Sequence, residues 1–166
     1  NDKIDLVLTM RLPFPHDEFI RFHKIKRESL VAMMNASHPL SSKKRISIRE
    51  IIDQPIVFER SDIEFSNYVR RILFAHDFNP QNFAYSPQVD TLPFTIDETC
   101  GIAIVPKHMK NSMHIGNNCF LDIEEDDFSF DMCWAYKTSN ENTVIPVFLK
   151  SADLCIEENI KRNDFL

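Results

Sequence analysis

The chain has 166 residues, a formal charge of −6, 43% hydrophobic and 27% charged residues. That balance suits a soluble globular protein of one domain or two small lobes, able to build a core without disulfide or metal staples. Two glycines, Gly101 and Gly116, stand against 14 phenylalanines, so Gly-rich phosphate loops are excluded. The net acidity and the scattered Lys and Arg argue against a chain that binds DNA by itself.

No apolar run approaches about 18 residues, so no membrane span is expected. No secretory leader is expected from the opening residues. The first residue is Asn1 rather than Met, which suits a fragment or a trimmed product. Cys100, Cys119, Cys133 and Cys155 form no CxxC pair, and the expectation is a reducing, cytoplasmic setting.

In chain order, residues 4–9 (IDLVLT) are a short apolar run that suits a buried strand. Pro13 and Pro15 then mark a loop. Residues 19–26 alternate apolar and charged, the pattern of a strand exposed on one face, and residues 29–35 (SLVAMMN) read as a separate buried strand. The cluster Lys43-Lys44-Arg45 lies between two periodic segments and reads as a solvated loop. Ser47 and Glu50 form a capping box opening a short helix to about Asp53, and residues 55–59 form a strand.

Ser61 and Glu64 form a second capping box. The helix it opens carries Phe65, Tyr68, Val69, Ile72 and Leu73 at helical spacing and is expected to end near Asp77, before Asn79-Pro80. Residues 83–89 read as extended, and 90–99 as a short helix with Pro93 in its first turn. Residues 101–106 (GIAIVP) are a tight buried strand, and strands follow at 118–123 and 130–136. Residues 143–161 read as an amphipathic helix with Val147, Phe148, Cys155 and Ile160 turned inward. Strands alternating with short helices predict an α/β fold with mostly parallel sheets.

Chemistry-bearing patterns are sparse. The six histidines show no HxH, HxxxH or HExxH spacing, so no metal or cofactor is expected. No GxSxG elbow exists. Cys100 follows Asp97 and Glu98 at a predicted helix C-terminus, where a thiolate is disfavoured. The run Glu124-Glu125-Asp126-Asp127 reads as a solvated loop. Arg60-Ser61 stands apart. A strand runs into a helix there, and the turn carries a cation and a hydroxyl where open α/β folds bind ligands and helix N–H groups favour anions. Thr9 and Arg11 hold the equivalent place after the first strand. The competing reading makes Ser61 a simple cap and Arg60 a surface charge.

Four segments resemble the effector-binding domain of LysR-type transcriptional regulators. They are residues 4–8 (IDLVL), residues 29–34 followed by His38-Pro39-Leu40, residues 48–57 ending in IIDQPIV, and residues 101–106 (GIAIVP). Their order and spacing cover nearly the whole chain. The resemblance implies a two-lobed α/β fold of the type 2 periplasmic-binding-protein kind, crossed twice by the chain. One subdomain would be residues 1–33 with 127–166, and the other residues 34–126. Relative to the family pattern, the first two strand–helix units of the first lobe and the N-terminal winged helix-turn-helix are absent. Thr99 stands where the family often has Gly, so a different turn is expected there.

The resemblance also implies a non-enzymatic sensing function. A small effector, expected to be a carboxylate held by Thr9, Arg11, Arg60 and Ser61, would bind in the interlobe cleft. Homodimers or tetramers would form through the sensing domain, with Tyr68, Ile72 and Phe74 as candidate contacts. DNA would be reached only through the absent winged helix. A transporter's solute-binding protein, an enzyme on the same fold and a redox sensor using a Cys pair are the alternatives. A secretory leader, a convergent acid–base pair or two adjacent thiols would respectively mark them.

Overall fold

A computed structural model describes residues 4–12, 18–60, 63–78, 82–113 and 116–161. Pro13, Pro15, Ser61 and Asn79-Pro80 lie outside the described residues. The chain divides into two compact units, one of residues 1–27 and 130–166, the other of residues 28–129.

The first unit contains β1 (Val7–Arg11), the first part of β2 (Ile20–Asn35), β8 (Ser129–Lys137) and α4 (Val144–Lys161). β1 pairs antiparallel with β8, Thr9 facing Cys133 and Arg11 facing Asp131. β8 lies between β1 and β2. β1 is therefore an edge strand rather than the buried strand its apolar run suggests, with Leu8 49% exposed. An apolar run alone does not distinguish a central from an edge position.

Helix α4 forms at the expected place with a different inward face. Ile145 and Leu149 are buried, whereas Val147 is 65% exposed, Cys155 is exposed and Phe148 is partly exposed against the Trp134 ring. The helix carries two apolar stripes of equivalent period, so spacing alone could not choose between them. The side chain of Ile160 lies outside the described residues.

β2 is one continuous strand where the sequence suggests two. No Gly, Pro, Asn or Asp lies between Lys26 and Ser29 to break it. Its character changes along its length, half-exposed before Glu28 and almost wholly buried from Leu30 to Met34. The change coincides with the boundary between the units.

The second unit holds β3 (Arg45–Ile46), α1 (Ile48–Ile51), β4 (Ile56–Glu59), α2 (Ile63–Ala75), β5 (Phe83–Ser86), α3 (Leu92–Thr99), β6 (Ala103–Pro106) and β7 (Asn118–Ile123). Single 3-10 turns precede α3 and follow β6. The expectation of mostly parallel sheets needs correction. Parallel pairing joins β4 to β5 and β3 to β7, and a parallel bridge links Ile56 to Ile102. β2 pairs antiparallel with both β6 and β7. The parallel contacts of β4 arise where helices supply crossovers, α2 between β4 and β5, then α3 before Ile102. The long strand β2 enters without a helix and meets its neighbours running the other way.

Between these strands lies a core of Val31, Met33, Val57, Leu92, Ile96, Ala103, Val105 and Met113. The Ser47 N–H donates to the Glu50 carboxylate at 3.1 Å, as the capping box predicts. Lys43 also bonds Glu50 and, with the Ser47 N–H, holds its carboxyl below the usual carboxylate range. The spacing on α2 also holds, since Tyr68, Val69, Ile72 and Leu73 are buried. Tyr68 and Ile72 are thereby spent on the core of their own unit and are not available to a partner; only Phe74 stays exposed. The left-handed residue after α3 is Cys100 (φ 50°), with Thr99 still helical. The positive φ thus falls on Cys100 and not on Thr99.

Candidate functional site

The most chemically distinctive surface of the second unit is built on the β4–β5 pair. Phe58 lies opposite Tyr85, and Ile56 opposite Phe83, so alternation places all four on one face. Phe58 and Phe83 meet edge to face at 5.1 Å between centroids. Over these rings lies Arg70 of α2, its guanidinium 4.9 Å from the Phe58 centroid and 5.3 Å from those of Phe83 and Tyr85. Arg70 Nη2 donates to the Tyr85 hydroxyl, while the Arg70 Nε–H is buried without an acceptor. Such stacking suits a weakly hydrated planar cation and favours Arg over Lys.

Arg60 follows β4. Its backbone N–H donates to Ser86 O at 2.9 Å, which continues the ladder and fixes its position. Its guanidinium lies 5.8 Å from the Tyr85 centroid. It has no carboxylate partner among the described residues. Glu59, Arg60, Ser66, Asn67, Arg70 and Tyr85 line a pocket of about 320 Å³. The Ser66 hydroxyl is spent on Glu59 O at 3.0 Å, leaving the two guanidiniums, the Asn67 amide and the Tyr85 O–H hydrogen as donors.

Two other sequence-predicted residues, Thr9 and Arg11, stand in the first unit. Thr9 and Arg11 share one face of β1. The Thr9 hydroxyl makes a long contact, 3.5 Å, to Met10 O. The Arg11 guanidinium covers the Phe22 ring at 5.0 Å. Ser61 lies outside the described residues. Sequence reasoning singled out Arg60 and did not single out Arg70, which lines the same pocket. The available signal was Phe58 and the Phe83-x-Tyr85 pair at strand spacing, with an Arg one helical turn beyond Ser66 and Asn67.

A second depression in this unit is lined by Ser47, Arg49, Ala75, His76, Asp77 and Glu125. The acidic run at 124–127 is a turn, as expected, and both Glu125 and Asp127 are engaged. Glu125 accepts the Ile48 N–H at the start of α1 at 2.9 Å, and Asp127 pairs with His76 at 3.0 Å. His23 pairs with Asp153, and His108 with the buried Glu28. Among the described residues, no three His, Cys, Asp or Glu side chains gather as metal ligands. All four cysteines are free thiols. Burial pushes the Cys119 and Cys133 thiols up, and nearby Asp131 adds to the effect at Cys133. Among the described residues, no helix is long and apolar enough to cross a membrane.

Residues 1–151 match the model of the LysR substrate binding domain, and the chain belongs to that family. An uncharacterized HTH-type transcriptional regulator of Bacillus subtilis (strain 168), YwbI, is 28% identical over 98 residues, which are 59% of this chain and 32% of YwbI. The match thus spans about a third of that curated relative. Among solved structures, a variant of full-length BenM superposes with a TM-score of 0.80 at 22% identity, covering 99% of this chain and 53% of BenM. The BenM effector binding domain with its effector benzoate gives 0.78 at 21% identity, over 99% of this chain and 72% of that one. The fold is accordingly the α/β, type 2 periplasmic-binding-protein-like fold of LysR effector-binding domains.

Proposed function

We propose that this chain is the effector-sensing domain of a bacterial LysR-type transcriptional regulator and that its effector is a small carboxylate. The two compact units correspond in this reading to its two subdomains. The full-length regulator acts in the cytoplasm as a homodimer or tetramer and reaches DNA through an N-terminal winged helix-turn-helix. The domain itself performs no catalysis.

The observation that carries the carboxylate reading is Arg60. It stands at the carboxyl end of a parallel strand, held by a backbone bond to β5, beside a second guanidinium, without a carboxylate partner among the described residues. Carboxyl ends of parallel strands are where α/β folds bind ligands. The BenM domain of the same fold was solved with benzoate, which fits the same ligand class. Thr9, Arg11 and Ser61 complete the proposed set of effector-binding residues. The effector acts by favouring one arrangement of the regulator, by no more than its differential affinity for the two arrangements.

A hydrogen bond to a charged group contributes roughly 1.5–3 kcal/mol. Removing the Arg60 side chain should therefore weaken binding by about tenfold to a hundredfold. Calorimetric titration of the chain and of Arg60→Ala and Ser61→Ala with aromatic and aliphatic carboxylates tests the reading. Binding that neither substitution weakens would defeat the site assignment, and selective binding of uncharged ligands would defeat the carboxylate reading.

A further inference from the structure

We infer that Arg70 is a ligand-binding residue, and that the pocket between it and Arg60 holds the carboxylate group of a small monoanion within the second unit. The inference deepens the reading of Arg60 above by assigning the second cation and the remaining donors.

Three observations lead there. The Arg70 charge lies on a bed of three aromatic rings, which removes water from its faces and strengthens its interaction with an anion. It is not neutralised internally: its Nη2 bonds a phenol rather than a carboxylate, and its Nε–H is buried without an acceptor. A guanidinium whose role was only structural would be expected to have its buried N–H satisfied, since leaving one unpaired is costly. Finally, the guanidinium opens onto the pocket that Arg60 also lines.

The donor geometry narrows the ligand. Because the Tyr85 oxygen accepts from Arg70, its own hydrogen is available to donate into the pocket. Asn67, three residues before Arg70 on α2, supplies an amide on the same helix face. Two guanidiniums against the Glu59 carboxylate leave the lining with one net positive charge, which matches a monoanion and disfavours multiply charged phosphates. The volume, about 320 Å³, lies at the small end of ligand sites.

The test is a nuclear magnetic resonance titration of the folded chain with acetate and with benzoate at constant ionic strength, following the Arg70 Nε–H resonance in the parent chain and, for the affinities of all variants, the backbone amide of Asn67, which lines the same pocket and is kept in each of them. The Nε–H resonance is assigned by its loss in Arg70→Met, which keeps much of the packing and removes the charge. Saturable movement is expected, with affinity lowered at least about tenfold in Arg70→Met, partly restored in Arg70→Lys, and lowered several-fold in Tyr85→Phe. If Arg70→Met unfolds the unit, Tyr85→Phe carries the same comparison, since it loses one donor and no bulk. Carboxylate binding that Arg60→Ala weakens while the Arg70 and Tyr85 variants leave it unchanged overturns this inference and spares the reading of Arg60. Absence of saturable movement with both anions overturns both.

Discussion

A methyl group added at Gly101 has nowhere to go. A Cβ there would lie 2.8 Å from Pro55 O, 2.8 Å from Thr99 Oγ1 and 3.0 Å from Val57 Cγ2. The Thr99 hydroxyl could rotate away at the loss of its bond to Thr95 O. The Pro55 carbonyl has no such freedom, because it accepts the Ile102 N–H at 2.8 Å, and Ile102 O in turn accepts the Val57 N–H at 2.8 Å. These two bonds pin the approach to β6 against β4, so relieving the clash stretches them. Overpacking of this kind costs about 1–3 kcal/mol. At about 2–4 °C per kcal/mol for a chain of this size, Gly101→Ala should lower Tm by about 2–12 °C. Thermal unfolding by far-ultraviolet circular dichroism, with amide exchange across residues 101–106 to localise the effect, is the assay. A Tm within about 1 °C of the parent, with exchange unchanged, would refute the account of this glycine as a close-approach residue.

The neighbouring position should respond with the opposite sign. Cys100 occupies the left-handed region at φ 50°, ψ 34°, which costs a non-glycine residue roughly 1–2 kcal/mol. Cys100→Gly should therefore raise stability by about 0.5–1 kcal/mol, after the greater entropy loss of glycine on folding, as read from a urea midpoint. Tyr68→Phe deletes the hydroxyl that reaches the carbonyls of Asp127 and Ser129; a loss of about 1 kcal/mol is expected, and a neutral result would remove that contact from the account. Iodoacetamide at pH 8 should label the exposed Cys100 and Cys155 before Cys119 and Cys133. The latter two have raised pKa values, so their thiolate fraction grows only as pH climbs beyond the ordinary thiol range. Equal labelling rates at all four would contradict the burial assigned to them.

Much of the architecture was legible because it rests on local rules. The Ser47–Glu50 capping box and the apolar spacing from Phe65 to Leu73 each announced a helix that formed. What failed needed information that is not local. Residues 20–35 make one strand because nothing interrupts them, yet the change of pattern near Glu28 looked like a boundary between two. In α4 both candidate faces are apolar, and only the tertiary fold selects Ile145 and Leu149 over Val147 and Phe148. The candidate site divides the same way. Arg60 is visible as a cation after a strand. Arg70 gains its meaning from the β4–β5 register, which sets Phe58 beside Tyr85 beneath it.

On the proposed reading, a carboxylate bound by this domain is coupled to DNA recognition by the regulator that carries it. The direct measurement is fluorescence anisotropy of the full-length protein on DNA it selects from a random-sequence pool, at fixed salt, with and without a saturating carboxylate that the domain binds. The account predicts a change in DNA affinity of about fivefold to 150-fold, or a shifted footprint, and loss of that response in Arg60→Ala with basal DNA binding retained. A carboxylate that saturates the domain and changes neither affinity nor footprint would contradict it.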